Sequence, residues 1–300
     1  MPADTVCDDD FLCVNKFVVA GLKNKKFQTF FYEKKIKGYE MSKKLEVKEL
    51  NIENLADVLK LQDKIIAGLK EDEKHFILKR SVEDFMHALN SDTTHMLGVF
   101  DGDRLVAQSI FDFPQNGQKR DLEEFVPNIA NNNLVIYKAT LVDVDYRGLG
   151  LMRELLAYRE KKAKEAGKKV AISQIAIDNP ASWINALKSG MSIRKVDKDP
   201  DDQAKVLYMQ KELGPSNNVA ISEESIFSMY IGKDIHKEIP ALFNKMRYFV
   251  SKGFRGIKID QQTNNIIWAK FSDENSKIIP LNLASSKFHL VGAPSKTIRS

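Results

Sequence analysis

The sequence predicts an α/β protein, and three observations predict it. Strand-like and helix-like periodicities alternate between residues 45 and 211, two tight-turn signals join neighbouring strands into hairpins, and a glycine-containing turn ends a β-branched run and opens a helix. Taken in order, the elements read β-α-α-β-β-β-α-β-α-β-β.

Residues 45–50 alternate as a strand. Residues 52–69 follow as an amphipathic helix with Leu55, Val58, Leu59, Ile65 and Ile66 on its apolar side and Asn51 or Asn54 placed to cap it. A second helix covers 82–89. Strands 96–100 and 105–113 flank Asp101-Gly102-Asp103-Arg104, a hairpin signal, and 115–133 is a long polar connection. The strongest strand, 134–144, leads into a helix over 151–166 that stops at Gly167. Strand 169–177 is followed by a helix over 180–188, begun by Pro180 and ended before Gly190. Strands 192–198 and 205–211 close the set across Asp199-Pro200-Asp201-Asp202.

The flanks read differently. Residues 1–40 have no clean period and form an N-terminal extension, with Met41 a second candidate start. Gly214-Pro215-Ser216-Asn217-Asn218 reads as a linker. Beyond it, a helix over 235–252 and a hairpin of 255–260 with 266–271 make a small α+β extension. Its core is too thin to stand alone, so it is expected to pack on the preceding domain or on a partner.

Composition bounds the function classes. With 43% apolar and 29% charged residues the chain is globular, and its 300 residues suffice for a substantial core. Cys7 and Cys13 have no further Cys or His at a metal-binding spacing, so neither a disulfide framework nor a metal site is expected. The apolar patch 17–22 is too short to span a bilayer and follows Asp8, Asp9 and Asp10, the wrong sign for a secretory leader. A cytoplasmic protein without membrane association is the expectation. The net charge is +1 over 1–40, −1 over 41–213 and +5 over 214–300. Without clustered Arg or a recognisable motif, that basic tail reads as a solvated surface, and nucleic acid is not an expected partner.

The stretch Asp145-Tyr146-Arg147-Gly148-Leu149-Gly150-Leu151-Met152 carries the chemistry. Between a strand's end and a helix's start, backbone N–H groups point along the helix axis and meet the positive end of its dipole. Gly148 and Gly150 lack the Cβ atoms that keep a phosphate away, and Arg147 adds charge at the mouth. Alone, two glycines fit a tight turn as well as an anion site. A dinucleotide fingerprint requires a glycine where Arg153 stands, and a P-loop requires Gly-Lys-Ser/Thr.

In context the stretch resembles the acyl-CoA-binding segment of the GCN5-related N-acetyltransferase (GNAT) family, Arg/Gln-x-x-Gly-x-Gly/Ala at the start of the helix after the fourth strand. Arg147, Gly150 and Met152 fall on its defining positions, and Tyr146 and Gly148 match a common version of it. Thirty residues on, Asn179, Gly190 and Met191 resemble the family's next segment. The resemblance covers residues 41–213 and implies a GNAT-like mixed, mostly antiparallel central sheet flanked by helices, with 214–300 appended as a small C-terminal α+β extension. It also implies an acetyl-CoA site: pantetheine along the main chain of Leu141, Val142 and Val144, pyrophosphate on the amides of Arg147, Gly148, Leu149, Gly150, Leu151, Met152 and Arg153, and Asn179 and Ser182 near the pantetheine or adenosine end.

Two departures bear on catalysis. Met152 is bulky where the pattern has Gly or Ala, and Ala186 stands where many relatives carry a Tyr that protonates the departing thiolate. Tyr137 or Tyr146 are the replacement acids, and Asp143, Asp112 or Asp178 the bases, directly or through water. The expectation is an N-acetyltransferase acting on a primary amine of a small molecule or protein. Its alternative is a catalytically weak GNAT-like module that binds CoA or recruits a partner.

Overall fold

The computed structural model describes residues 16–20, 28–36, 39–69, 71, 77, 79–117, 122–214, 221–232 and 235–271, with side chains from Lys44 onward except at 221–225, His236 and Phe271. Cys7, Cys13, His75, His289, Asp72, Glu73 and most of the 70–80 connection lie outside these residues.

Among the described residues twelve strands form one sheet: β1 (Lys16–Ala20), β2 (Gln28–Ile36), β3 (Tyr39–Glu49), β4 (Thr94–Asp101), β5 (Arg104–Asp112), β6 (Leu134–Val142), β7 (Val170–Ala176), β8 (Ser192–Lys198), β9 (Lys205–Glu212), β10 (Ile221–Tyr230), β11 (Phe254–Asp260) and β12 (Asn265–Phe271). Their spatial order is β1-β2-β3-β4-β5-β6-β7-β9-β8-β11-β12-β10. Every neighbouring pair is antiparallel except β6 with β7, which are joined through a helix, as a parallel crossover requires. The sheet is therefore mixed and mostly antiparallel.

Among the described residues five α-helices accompany it: α1 (Leu55–Ala67), α2 (Val82–Leu89), α3 (Leu151–Glu165), α4 (Pro180–Lys188) and α5 (Ile235–Ser251). α1 buries Val58, Leu61 and Ile65, and α2 buries Phe85, against Met96, Ile110 and Leu141 of the sheet. α3 buries Leu155 and Leu156 in the cluster that holds Leu97, Phe111 and Val135. Because successive strand residues point to opposite faces, residues 96 and 110 on one side and 97 and 111 on the other separate the two helix layers. α2 starts on a reciprocal cap: Ser81 Oγ accepts from Asp84 N (3.1 Å) and Asp84 Oδ2 from Ser81 N (3.0 Å). Gln62, buried on α1, ties the approach to that cap through both its amide atoms to the main chain of Arg80.

The C-terminal extension continues the sheet. β11 lies beside β8, with Gly256 opposite Ile193, and α5 packs over β8 and β11. Trp268, fully buried, stacks on Phe249 at 5.1 Å. The segment thus packs on the preceding domain, one of the two expected arrangements. Three strands were not read from the sequence: β1, β2 and β10. β10 carries Glu223 and Glu224 within its span, and its register with β12 slips between Ile221 and Ile226. β3 also begins earlier than residue 45, so that Met41 falls inside it, opposite Lys34.

Replacing Trp268 with Ala should destabilise the protein by about 3–5 kcal/mol, and urea unfolding followed by tryptophan-independent circular dichroism checks it. A loss below about 1 kcal/mol contradicts the packing just described.

Candidate functional site

β6 and β7 pair only at their beginnings, from Leu134 with Val170 to Ile136 with Ile172. Ser173 Oγ donates to the Tyr137 carbonyl (3.0 Å) at the point where they part. Beyond it β6 follows β5 to Val142, while β7 follows β9 to Ala176. The cause lies in β6: Thr140 faces Ser109 but Tyr137 faces Phe111, so β6 carries one extra residue at Lys138–Ala139. Such a bulge bends and twists its strand and interrupts the ladder. Main-chain groups along the opening can then serve a ligand in place of a strand.

The opening leads to the turn between β6 and α3. Gly148 and Gly150 both adopt φ of +76°, the left-handed region in which side-chain-bearing residues are strained. A Cβ at Gly148 has open space around it, so the backbone angle and not crowding calls for glycine there. Leu149 and Leu151 are buried and pin the turn from below. The amides of Gly148, Leu149, Gly150, Leu151 and Met152 have no acceptor among the described residues, and Gly150 caps α3 without a side-chain bond. Five free donors at the positive end of a fifteen-residue helix suit an anion.

Charge around the turn is positive. Arg147 and Arg153 are exposed. Lys188, at the end of α4, is pushed below the usual lysine range by partial burial and then by Arg153, so the two cations share one neighbourhood. Lys188 was not singled out in the sequence, since a Lys in a last helical turn is ordinary dipole complementation. Met152 packs half-buried against the core cluster below. Its bulk is accommodated on the protein side.

Asn179 caps α4, its Oδ1 accepting from Ser182 N at 3.2 Å, so both residues already serve the helix start. Trp183 is fully buried, with Nε1 donating to Ile177 O at 2.9 Å, and Ala186 is buried beside it in the same cluster.

The three catalytic candidates do not converge. Asp143 is 1% exposed and accepts from Lys64 Nζ (2.8 and 2.9 Å), Arg104 Nη2 (2.6 Å) and the Asp145 amide (3.1 Å). Burial works against its ionisation, but these donors outweigh it and hold the carboxyl below the usual range. A carboxylate so engaged is a poor base. Tyr146 is buried, donates its hydroxyl to Asp101 (2.5 Å) and lies beneath Arg104, 5.4 Å from the ring centre. Tyr137 lies at the fork on the α3 side, under the guanidinium of Arg159 at 4.5 Å, and its hydroxyl has no partner among the described residues. Burial raises its pKa, so it keeps its proton and can act as a donor but not as a base. Asp112 pairs with Lys138 (2.5 Å), and His95 is stacked on Phe111 and packs tilted against Phe113.

Among the described residues no group of His, Cys, Asp or Glu is placed to hold a metal ion, and no helix is long and apolar enough to cross a membrane.

Because the folded-state pKa of Asp143 lies below its unfolded value of about 4, its stabilisation is present above that value and lost as pH falls through the folded one. Asp143→Asn should cost about 2 kcal/mol at pH 7, less than a fully buried pair because Lys64 and Arg104 are half-exposed. The difference from wild type should shrink below about pH 4; urea unfolding at pH 7 and pH 3.5 measures both.

No model of a known protein family matches the chain, and no curated protein matches it. Among solved structures, the GNAT domain of S. lividans PAT is 14% identical, with a TM-score of 0.44, over 56% of this chain and 90% of that one. An N-acetyltransferase from Staphylococcus aureus Mu50 is also 14% identical, with a TM-score of 0.44 over 56% and 97%. The protein yncA from Salmonella typhimurium, solved with its cofactor acetyl-CoA, is 14% identical, with a TM-score of 0.43 over 58% and 96%. From β3 to β9 the sheet is mixed and mostly antiparallel with one parallel pair, β6 with β7, the arrangement that the resemblance in sequence implies.

Proposed function

We propose that the protein is an acyl-CoA-dependent N-acyltransferase that moves acetyl from acetyl-CoA to a primary amine of a small molecule or protein, by direct attack in a ternary complex. The observation that supports this reading is the opening between β6 and β7, which runs into five amides without acceptors at the start of α3. An extended, amide-rich arm with a pyrophosphate at one end matches both parts, and few protein surfaces offer the two in line.

In this reading the main chain of Leu141, Val142 and Val144 holds the pantetheine arm, and the amides from Gly148 to Met152 hold the pyrophosphate, those of Arg147 and Arg153 being bonded to Val144 O and Gly150 O. Arg147, Arg153 and Lys188 contribute the surrounding field, and Asn179 and Ser182 border the adenosine or pantetheine end. Bound acetyl-CoA supplies an acyl group activated as a thioester. The bulge at Lys138–Ala139 lies where a main-chain N–H can polarise the acyl carbonyl, the kind of preorganised donor that lowers such barriers most. Tyr137, two residues from the bulge and protonated at neutral pH, is the candidate proton donor to the leaving sulfur. Asp143 and Tyr146 anchor the turn, so the amine loses its proton through water. Holding donor and acceptor in line supplies much of the remaining acceleration.

Calorimetric titration should find acetyl-CoA binding to the wild-type protein. Gly148→Val, which disfavours the left-handed turn, should weaken it about tenfold, as a loss of about 1–2 kcal/mol requires. No heat with acetyl-CoA or CoA at millimolar concentration rules out the site and the function together. For chemistry, CoA release across an amine panel is the readout, and Tyr137→Phe should lower kcat at least tenfold with KM for acetyl-CoA little changed.

A second reading has one observation in its favour, the buried Ala186 where an acid is absent. A catalytically weak CoA-binding module would bind CoA and release no thiol with any amine.

A further inference from the structure

Arg159 of α3 is 2% exposed, and no carboxylate pairs with it among the described residues. Charged side chains are almost never buried without a counter-charge, because the cost of desolvation is then unanswered. Its Nη1 donates to the Ile110 carbonyl at 3.4 Å, and the guanidinium lies over the Tyr137 ring at 4.5 Å. Arg159 Nε and Tyr137 Oη are both buried without a partner among the described residues. Burial pushes the guanidinium pKa down to about 10, so it stays charged at neutral pH.

The other charges near this pair are engaged elsewhere or absent at neutral pH. Glu160, next on α3, pairs with Lys164 and Lys211. Asp112 pairs with Lys138. His95 is stacked on Phe111, the residue opposite Tyr137, and burial holds its pKa below the usual histidine range, so it is neutral at pH 7 and above. Two adjacent buried donors, one of them a cation, suit an anion, and their place in the fold limits which one. Tyr137 stands where β6 and β7 part, and the bulge of β6 follows it directly. In the acetyl-CoA reading, on which this inference rests, the arm runs from the α3 turn along the open part of β6. Its sulfur end then comes to the hinge of the fork.

We infer that Arg159 and Tyr137 together receive the sulfur of CoA as a thiolate, Arg159 answering its charge and Tyr137 supplying its proton. As the amine nitrogen bonds to the acetyl carbon, the carbon–sulfur bond breaks and its electron pair stays on sulfur. Tyr137 Oη gives its proton to that sulfur. The phenolate left behind faces the Arg159 cation until water returns a proton from the product nitrogen. The same cation that costs stability in the empty protein thus has a counter-charge during the reaction.

Calorimetric titration of the full chain with CoA and with desulfo-CoA, which lacks the sulfur, tests this without turnover. Wild type should prefer CoA about tenfold at pH 8.5, the effect of one hydrogen bond to a charged group. A site that favours the thiolate lowers the thiol pKa below its free value of about 8.5. The preference is therefore complete above that value and is lost as pH falls through the bound one. Arg159→Met should abolish the preference and leave desulfo-CoA affinity unchanged, and Arg159→Lys should restore part of it. In urea, Arg159→Met should be at least as stable as wild type, because a buried charge without a counter-charge is gone. Equal wild-type affinities for CoA and desulfo-CoA at pH 8.5 mean that the two donors serve a buried water; they overturn the inference and leave the acetyl-CoA reading standing. Binding of neither overturns both. A preference that survives Arg159→Met, or an Arg159→Met less stable than wild type, makes Arg159 a structural residue and overturns its assignment to the sulfur.

Discussion

A carboxylate taken out of water has to be answered by charge, and the answer to Asp143 organises the protein around the α3 turn. Lys64 comes from the last turn of α1, Arg104 from the first residue of β5, and the third donor is the amide of Asp145, already inside the turn. Removing any one leaves a charge or a donor without its partner in a place where rehydration is incomplete. The helix on one face, the β4–β5 hairpin and the entrance to α3 are therefore held by a single group. Lys60, Asp57 and Asp103 join these residues around a pocket of about 310 Å³ beside that junction.

The fork between β6 and β7 is the second dependency, and it works because the sheet is covered on both faces. A parallel pair released after three residues exposes main chain, which costs free energy unless packing holds the strands apart. Here α3 and the cluster around Phe111 and Val135 hold β6 from one side, and the Val126–Leu134–Ile172 cluster lies across the pair near its closed end. Tyr137 and Arg159 occupy the hinge between these groups. Tyr137 Oη and Arg159 Nε are buried there without a partner among the described residues.

Much of this was legible in the chain. Val82–Leu89, Pro180–Lys188 and Ser192–Lys198 match their predicted bounds because caps, a first-turn proline and an Asp-Pro turn punctuate them locally. The glycines of the α3 turn are read from the sequence as keeping Cβ atoms away from a ligand, and their left-handed backbone is a second reason for them that only the structure gives. Asp143 was read as a candidate base because nothing in its neighbourhood in sequence reveals Lys64 or Arg104, which reach it from elements far away in the chain. Tyr137 and Tyr146 were equivalent as strand-end tyrosines, and only the fold distinguishes a hydroxyl donated to Asp101 from one without a partner. β10 stayed hidden because a strand interrupted by two glutamates and a register slip loses the alternation that identifies strands.

The extension also changes where the sheet ends. Were β9 and β8 the last strands, β8 would present a row of unsatisfied N–H and C=O groups to any extended chain that approached. β11 and β12 cover that row and move the open margin out to β10, on which Phe227 and Tyr230 remain 46% and 51% exposed. Among the described residues, strand addition at this end of the sheet, whether by a regulatory peptide or in aggregation, meets this aromatic margin, three strands removed from β8. The β6–β7 opening is in this way insulated from the association chemistry of an open sheet.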